Sequence, residues 1–352
     1  MDFRKVSRIP GYRKSQGIPN LSGLFKFLAF WQEGSIYQLI MKKLHISLLC
    51  LILPWLAFSN VHASYPMKAE KVGPDVYAII SPARNLPDPE NKGWNSNSAF
   101  FVTPQGVLLF DTGSSQGIGE SLKKTIRSVT NKPVKWIINS HSHGDHWLGN
   151  AAFKDTSPEI YASEIVSEKI LTEGDDWIDR FSRMTNGSTG NSEIALPTHQ
   201  VNAKKEFLFG GRKVVMFLSN NSHSPGDIIL YMPVEKILFT GDVVYSDRMP
   251  STFAADVRHW IETLKYMEEL NPNAVVPGHG IVTDKKGLNR LRSLLTDYWD
   301  EVKIQVKAGK TAEQSLESVE KRLKKYEPEF PGFDEKLKRD VQFVHAKALE
   351  DK

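Results

Sequence analysis

Short apolar runs of strand length recur through the middle of the chain, and each ends at a turn rich in glycine, serine or asparagine. Four of them are rich in Val, Ile and Leu and span residues 135–140, 213–218, 236–240 and 274–277. A fifth run, residues 106–110, leads into Asp111-Thr-Gly113. This pattern predicts a layered α/β domain whose strands end at polar loops.

The C-terminal part of the chain has a different pattern. Leucine and isoleucine recur at helical spacing, with interleaved charges, over residues 288–307, 311–326 and 333–349. We expect three amphipathic helices that pack on the sheet domain or on a second subunit, which makes them a candidate homodimer surface. We therefore divide this part of the chain into a domain over 64–284 and a helical extension over 285–352. A separate binding domain is the alternative for the extension.

The segment 41–63 has the pattern of a secretory signal peptide. Met41-Lys-Lys43 is a basic start, residues 44–58 are apolar, and Ala63 is a small residue at the expected cleavage site. Pro54 and the short apolar length argue against a membrane span, so we expect none after cleavage. Because signal peptides begin at the initiator methionine, we expect translation to start at Met41 and residues 1–40 to come from an over-extended gene prediction. An N-terminal amphipathic arm followed by a buried helix is the alternative.

Charge and cysteine content change once this leader is set aside. The chain has 45 Lys and Arg against 41 Asp and Glu, but residues 1–63 hold 8 of the former and 2 of the latter, leaving 37 basic and 39 acidic residues. No basic excess then indicates a nucleic-acid partner. The single cysteine, Cys50, also lies in the leader, so the mature chain has no disulfide and no thiolate ligand. These features predict a periplasmic or secreted protein.

Candidate chemistry is concentrated in four islands at strand ends. They are His141-Ser-His143-Gly-Asp145-His146, Asn221-Ser-His223-Ser-Pro-Gly-Asp227, Phe239-Thr-Gly-Asp242 and Pro277-Gly-His279-Gly280. Strand ends at one sheet edge form a common pocket. Imidazole and carboxylate groups bind zinc, and two ions about 3.5–4 Å apart can share a water molecule and lower its pKa. The islands predict a two-metal site; a degenerate site without turnover is the alternative.

The order His-x-His-x-Asp-His, His, Asp, His, with Asp111-Thr-Gly113 after a strand, resembles the metallo-β-lactamase fold superfamily over roughly residues 65–283. The resemblance implies a four-layer αββα sandwich, here with additional C-terminal helices, and two zinc ions at one edge of its sheets. It assigns His141, His143 and His223 to the first ion, Asp145, His146 and His279 to the second, and Asp242 to both. Asp111 would support the ligand geometry. Iron or manganese would suit the same donors.

Comparison with subgroups of this superfamily narrows the expected function. Asp242 stands where one lactamase group has a cysteine ligand, and His143 stands where flavodiiron members have glutamate. The run 223–242 looks closest to zinc hydrolases associated with quinoprotein systems. We expect an exported hydrolase in which a metal-bridging hydroxide cleaves an ester, thioester, lactone or related bond, with Asp145 as the catalytic residue that orients or deprotonates the attacking water. The alternatives are a β-lactamase and a low-turnover metal-dependent accessory protein of a quinoprotein pathway.

We expect a small-molecule substrate, but the sequence gives only weak indications of the residues that would bind it. Candidates for the pocket wall are Trp94 in the proline-rich loop 86–94, Trp147 after the first island, Trp177 with Phe181 and Met184, and Arg248. Ordinary core packing is the alternative for each aromatic residue. Arg248 would bind an anionic substrate group, or else form a surface salt bridge.

Overall fold

The computed structural model describes residues 65–84, 86–190, 192–219 and 221–351. The expected leader over 41–63 and the segment 1–40 lie outside the described residues. All described residues belong to one compact unit, which includes both the sheets and the C-terminal helices. Among the described helices, none combines the length and apolar character needed to cross a membrane.

The first sheet has seven strands that neighbour one another in chain order. Strands β1 to β4 pair antiparallel, and β4 to β7 pair parallel. A parallel pair requires a crossover; helices α1 (Gln116–Val129) and α2 (Glu164–Met184) make two of them. The strands are β1 (Ala69–Gly73), β2 (Val76–Ile79), β3 (Ser98–Val102), β4 (Val107–Phe110), β5 (Val134–Ile138), β6 (Glu159–Ala162) and β7 (His199–Gln200).

The second sheet has five strands in the order β12-β11-β10-β9-β8. They are β8 (Lys205–Phe209), β9 (Arg212–Leu218), β10 (Ile228–Met232), β11 (Ile237–Phe239) and β12 (Ala274–Val276), and helix α3 (Val257–Glu269) connects β11 to β12. Because β10 is antiparallel to both β9 and β11, and β12 is parallel to β11, the carboxyl ends of β9, β11 and β12 share one edge. The strands expected from the apolar runs are confirmed.

The two sheets pack face to face over an apolar core. Phe101 and Leu108 of the first sheet belong to the same buried cluster as Met216, Leu230 and Phe239 of the second. Helix α1 covers the outer face of the first sheet, and α3 covers the outer face of the second. Because each sheet buries both faces, the result is the four-layer αββα sandwich that the resemblance to the superfamily implied.

Three C-terminal helices complete the outer layer of the second sheet. They are α4 (Lys285–Lys307), α5 (Ala312–Leu323) and α6 (Phe333–Glu350), which confirms the three expected amphipathic helices. Helix α5 begins with a capping box in which Thr311 and Gln314 exchange hydrogen bonds. Their apolar faces join the cluster that contains α3, so they pack on the sandwich of the same chain. A homodimer surface on these helices stays a prediction.

Candidate metal centre

Four loops at the carboxyl ends of strands bring the predicted ligands together. The first island follows β5 and includes a 3-10 turn over Gly144–His146, and Asp242 lies on a 3-10 turn over Gly241–Val243 after β11. His223 lies between β9 and β10, and His279 follows β12. The seven side chains form two groups, in each of which the donor atoms lie within 4.8 Å of one another: His141, His143, His223 and Asp242 in one, and Asp145, His146 and His279 in the other.

Three imidazole nitrogens converge in the first group. His143 Nδ1 lies 3.1 Å from His141 Nε2 and 3.2 Å from His223 Nε2. Two imidazole nitrogens bound tetrahedrally to one zinc at about 2.0–2.1 Å are about 3.3–3.4 Å apart. The observed spacing therefore matches that of nitrogens sharing one ion.

The second group combines two imidazoles with a carboxylate. Asp145 Oδ2 lies 3.6 Å from His146 Nε2 and 3.5 Å from His279 Nε2. Asn95 Nδ2 donates to the same Asp145 oxygen at 3.3 Å, and Ser96 Oγ donates to the Asp145 carbonyl oxygen. The Asp145 carboxylate is thus held in place by the loop that precedes β3.

Asp242 lies between the two groups, with one oxygen towards each. Its Oδ2 is 3.6 Å from His141 Nε2 and 3.5 Å from His223 Nε2, and its Oδ1 is 3.2 Å from both His146 Nε2 and His279 Nε2. Tyr245 Oη donates a hydrogen bond to Oδ2 at 2.5 Å. A carboxylate with one oxygen facing each of the two groups has the geometry of a bridging ligand.

Hydrogen bonds on the far side of the rings determine which nitrogen each imidazole presents. Asp111 Oδ2 lies 2.8 Å from His146 Nδ1 and also accepts from Ser140 Oγ at 2.7 Å. Ser140 Oγ in turn lies 2.9 Å from His141 Nδ1. His279 Nδ1 lies 2.8 Å from the carbonyl oxygen of Asn95, which can only accept. These contacts direct the Nε2 atoms of all three histidines inwards.

Asp227 supports the loop that carries His223. Its Oδ2 accepts from the backbone N–H of His223 at 3.1 Å and of Ser224 at 2.8 Å, and from Ser219 Oγ at 2.9 Å. Asp227 thus positions the loop through backbone contacts and is not among the candidate ligands. Burial raises the pKa of this carboxyl to about 7.

Burial and charge together set the protonation of the centre. Burial lowers the pKa of His143 to about 4 and that of His223 to about 3, so both rings are neutral and keep a lone pair for a metal ion. Burial by itself would raise the pKa of Asp242, but the surrounding imidazoles of His279, His146 and His141 lower it well below its usual range. Neutral His143 and His223 and ionised Asp242 are the forms that bind metals. Burial by itself would lower the pKa of His146, but the carboxylates of Asp242, Asp145 and Asp111 raise it well above its usual range, so this ring releases a proton when a metal ion binds.

The residues present fit a pair of divalent cations. Within the part of the chain that the structure describes, His146 Nε2 and Asp242 Oδ1 are buried without a hydrogen-bond partner, although they lie 3.2 Å apart. Leaving such polar atoms unsatisfied costs about 1–3 kcal/mol each. A cation at the second group would satisfy both atoms, and a cation at the first group would satisfy its converging nitrogens.

A cavity of about 350 Å³ opens onto this centre. Trp177, Phe181 and Met184 line it from one face of α2, and Leu86 and Pro87 line it from the proline-rich loop. The three α2 residues were expected in the pocket wall, and Phe181 and Met184 follow Trp177 by one and two helical turns. His143 faces both this wall and Phe253, with ring centroids 5.4 Å from Trp177 and from Phe253.

Two predicted pocket residues are in the core instead. Trp94 is 5% exposed and packs edge-on against Tyr65 in the layer beneath α1. Trp147 is fully buried against α2, and its Nε1 donates to the carbonyl oxygen of Ser142 at 3.0 Å. Neither tryptophan is among the residues that line the cavity, because both are buried in apolar clusters.

Arg248 lines the cavity, as the expected role of binding an anionic substrate group requires. Its side chain is 2% exposed and contacts Asn95 Oδ1 at 3.4 Å, the Pro82 carbonyl oxygen at 3.3 Å and the ring of His279. The alternative of a surface salt bridge is wrong, because the guanidinium is buried.

The sequence analysis missed several residues of the cavity wall. Tyr245 lies three residues after Asp242, and its ring stacks on that of His279 at 5.1 Å. Lys336, Arg339 and Phe343 line the cavity from α6. Their spacing of three and four residues marks one helical face, but nothing in the sequence indicates that this face turns towards the metal centre.

Comparison with known proteins is consistent with this geometry. The chain is 25% identical over 212 residues to a linear primary-alkylsulfatase from a Pseudomonas species, a match that covers 50% of this chain and 40% of that protein. It is 24% identical over 193 residues to a metallo-β-lactamase from Chryseobacterium indologenes, covering 53% and 73% of the two chains. The chain thus spans less than half the length of the alkylsulfatase that it matches.

A solved metallo-β-lactamase from Pontibacter korlensis shares the fold, with a TM-score of 0.53 and 21% identity over 66% of this chain and 99% of that one. A family model described as the metallo-beta-lactamase superfamily matches residues 91–279, a range that contains Asp111 and all seven candidate ligands. Because this match covers more than half of the chain, the protein belongs to the metallo-β-lactamase superfamily.

Proposed function

We propose that the protein is an exported dinuclear zinc hydrolase that cleaves an ester, thioester, lactone or related bond in a small molecule. The observation that carries this proposal is the position of Asp242, whose two carboxylate oxygens face two separate groups of histidine nitrogens at 3.2–3.6 Å. His141, His143 and His223 would hold one ion, and Asp145, His146 and His279 the other. Five imidazoles and two carboxylates form a donor set that suits zinc, and iron or manganese also accept it.

The bound ions would lower the pKa of a water molecule and polarise the bond to be cleaved. Asp145 is the proposed proton acceptor, because its carboxylate both belongs to the second group and lines the cavity. The contact from Asn95 Nδ2 orients this carboxylate. The apolar wall formed by Trp177, Phe181 and Phe253 would exclude bulk water from the reacting groups.

Sulfate esters are a second candidate substrate. The similarity to the linear primary-alkylsulfatase suggests them, and the cationic side chains of Arg248 and Lys336 in the cavity wall favour an anionic ester. An association with a quinoprotein system stays a prediction.

The decisive experiment is a substrate panel assayed with and without chelator. Nitrocefin, lactones, thioesters, phosphoesters and alkyl sulfates would be offered to the purified protein, with zinc content measured in parallel. We expect chelator-sensitive turnover of a carbonyl ester, thioester or lactone that is lost in His279→Ala and kept in His199→Ala, because His199 is an exposed side chain on β7. Turnover of nitrocefin alone would favour the β-lactamase alternative. Absence of chelator-sensitive turnover on every substrate would contradict the proposal and favour the accessory-protein alternative.

Export is proposed from the leader pattern over 41–63. N-terminal sequencing of the precursor and the mature protein tests it, and we expect a start at Met41 and cleavage after Ala63. A peptide covering residues 4–26 in the purified precursor would contradict the proposed start.

A further inference from the structure

Lys336 is a buried cation in the wall of the metal cavity. It lies on α6, outside residues 91–279 that match the superfamily, and its side chain belongs to the cavity lining although the residue is only 6% exposed. Its Nζ lies 5.4 Å from the ring centroid of Tyr245, whose hydroxyl donates to Asp242. Lys336 is thus one aromatic ring away from the bridging carboxylate.

The contacts of Lys336 leave much of its charge without a partner. Nζ donates one hydrogen bond, to the carbonyl oxygen of Met249 at 2.6 Å, and an ammonium has three donors. Among the described residues, no carboxylate lies within 4.0 Å of the nitrogens of Lys336 or of Arg248. By contrast, Arg339 on the same helix is paired with Asp340.

A buried cation without a carboxylate partner is costly to retain, and such groups concentrate at functional sites. Burial, together with the nearby positive charges of Arg248 and Arg339, lowers the pKa of Lys336 to about 8. The amine is therefore still mostly protonated at neutral pH. The hydrogen bond from Nζ to the Met249 carbonyl oxygen explains how the side chain is positioned, but it does not compensate the positive charge of the ammonium group.

Another part of the cavity wall is apolar apart from Arg180, whose guanidinium lies over the Trp177 ring at 5.1 Å. Trp177 and Phe181 of α2 lie with ring centroids 5.4 Å apart, and Phe253 lies 6.4 Å from Phe343 of α6. Phe343 follows Lys336 by two helical turns, so one helix supplies both a cation and part of the apolar wall. The cavity therefore offers positive charge beside His279 and an apolar surface beside His143.

We propose that Lys336, together with Arg248, binds an anionic group of the substrate, and that the apolar part of the same substrate lies along Trp177, Phe253 and Phe343. The substrate class is an amphiphilic anion, such as a molecule with a carboxylate, sulfate or sulfonate group on an apolar chain. This inference rests on the proposed function, which places the substrate in the metal cavity. Lys336 is a specificity residue in this arrangement, and the reaction itself takes place at the metal centre.

The test is a binding measurement that requires no turnover. Octane-1-sulfonate and methyl octyl sulfone share an octyl chain and two sulfonyl oxygens, but only the sulfonate is charged. Calorimetric titration of the zinc-loaded protein is expected to give at least tenfold tighter binding of the sulfonate. Lys336→Met should remove about tenfold of that affinity, the loss expected for one charge-assisted contact, and leave the sulfone affinity unchanged.

The matched control is Lys338→Met, which removes an exposed lysine from the same helix and should alter neither affinity. Lys336→Gln keeps a donor for the Met249 carbonyl oxygen but removes the charge, so it replaces Lys336→Met if that variant fails to fold. Lys336→Arg should retain the preference for the sulfonate. Zinc content and the thermal midpoint of unfolding would be measured for each variant, so that a loss of metal is detected separately.

Equal affinity of the wild-type protein for the two probes, or no binding of the sulfonate, would overturn the inference. So would an unchanged sulfonate affinity in Lys336→Gln, which would show that the anion binds without a contribution from Lys336. The proposed hydrolase function fails on a different result, the absence of chelator-sensitive turnover, and a sulfonate preference that depends on Lys336 would still be detected in that case.

Discussion

Gly278 lies directly against the carboxylate of Asp242: a Cβ atom at this glycine would be 2.1 Å from Asp242 Oδ1 and 2.6 Å from the carbonyl carbon of Gly241. Both neighbours belong to the turn that follows β11, so neither can move without shifting the bridging position. The loop after β12 can approach the loop after β11 only because residue 278 has no side chain.

Gly278→Ala is therefore expected to displace Asp242 and to reduce metal occupancy to below half of the wild-type content, while the fold persists. Metal analysis and circular dichroism measure the two effects. Gly117→Ala is the matched control, because a Cβ there meets only Ser115 Oγ at 3.9 Å and α1 accepts alanine. Full metal occupancy in Gly278→Ala would contradict this prediction, because it would show that a Cβ atom fits between the two loops.

Removal of the bridging carboxylate should affect both metal sites. Asp242→Ala is expected to lower the occupancy of both, because each of its oxygens faces one group of nitrogens. His223→Ala should mainly lower the occupancy of the first site, and His279→Ala that of the second. Metal stoichiometry by mass spectrometry distinguishes these outcomes, with the exposed Asp175→Ala as control. Intact metal content and activity in Asp242→Ala would contradict the bridging assignment.

Asp111 should influence metal affinity without contacting the metal. Asp111→Asn is expected to weaken binding at the His146 site about 10–100-fold, since the carboxylate that orients His146 Nδ1 becomes a neutral amide. Asparagine is suitable because residue 111 has a φ of 60°, which asparagine tolerates. Competition with a chromophoric chelator measures the affinity, and Asp155→Asn on the surface is the control. An affinity within twofold of wild type would assign Asp111 a purely structural role.

Trp147 and Trp177 should give opposite phenotypes. Trp147→Phe is expected to cost about 1–3 kcal/mol of unfolding free energy, because the Ser142 carbonyl oxygen loses its buried donor, while KM stays unchanged. Trp177→Leu should raise KM with little loss of stability, because that ring lines the cavity and is partly exposed. Denaturant titration and kinetics on the substrate found in the panel measure both. A raised KM in Trp147→Phe would contradict this prediction and indicate that the Trp147 ring borders the pocket.

Metal removal should destabilise the fold. A ligand at 100 times its dissociation constant stabilises the folded state by about 2.7 kcal/mol, and chelation also leaves Asp145 and Asp242 as buried carboxylates without a metal ion. We expect a chelator to lower the thermal midpoint by several degrees, and to have a much smaller effect on Asp242→Ala. Scanning calorimetry measures the shift. An equal shift in both proteins would indicate that the chelator acts elsewhere.

The sequence was informative wherever the signal is local. The strand that leads into His141 is a run of apolar and β-branched residues. The loop after it carries histidine and aspartate side chains at a close spacing that is typical of metal ligands. The same holds for the turns at Asp242 and His279. The apolar runs predicted a layered α/β domain, and the order of its four layers was implied by the resemblance to the superfamily.

The cavity wall was predictable only in part. Trp177, Phe181 and Met184 repeat at helical spacing, so they share a face, and the structure directs that face to the metals. Trp94 and Trp147 lie in loops and are core residues. A tryptophan in a loop can turn to the cavity or to the core, and the packing of distant segments decides which.

The sequence by itself determined the donor set and the strands that present it, because these depend on residue type and short-range spacing. The bridging role of Asp242 was implied by the resemblance to the superfamily, since its partners lie far away in the chain. The tertiary structure decided what surrounds the metals. Lys336 follows Asp242 by more than ninety residues in the chain and reaches the same cavity only because the apolar face of α6, with Leu337 and Val341, packs into the cluster that covers the second sheet. Packing between distant segments follows from complementary shape and buried area, which no local pattern encodes.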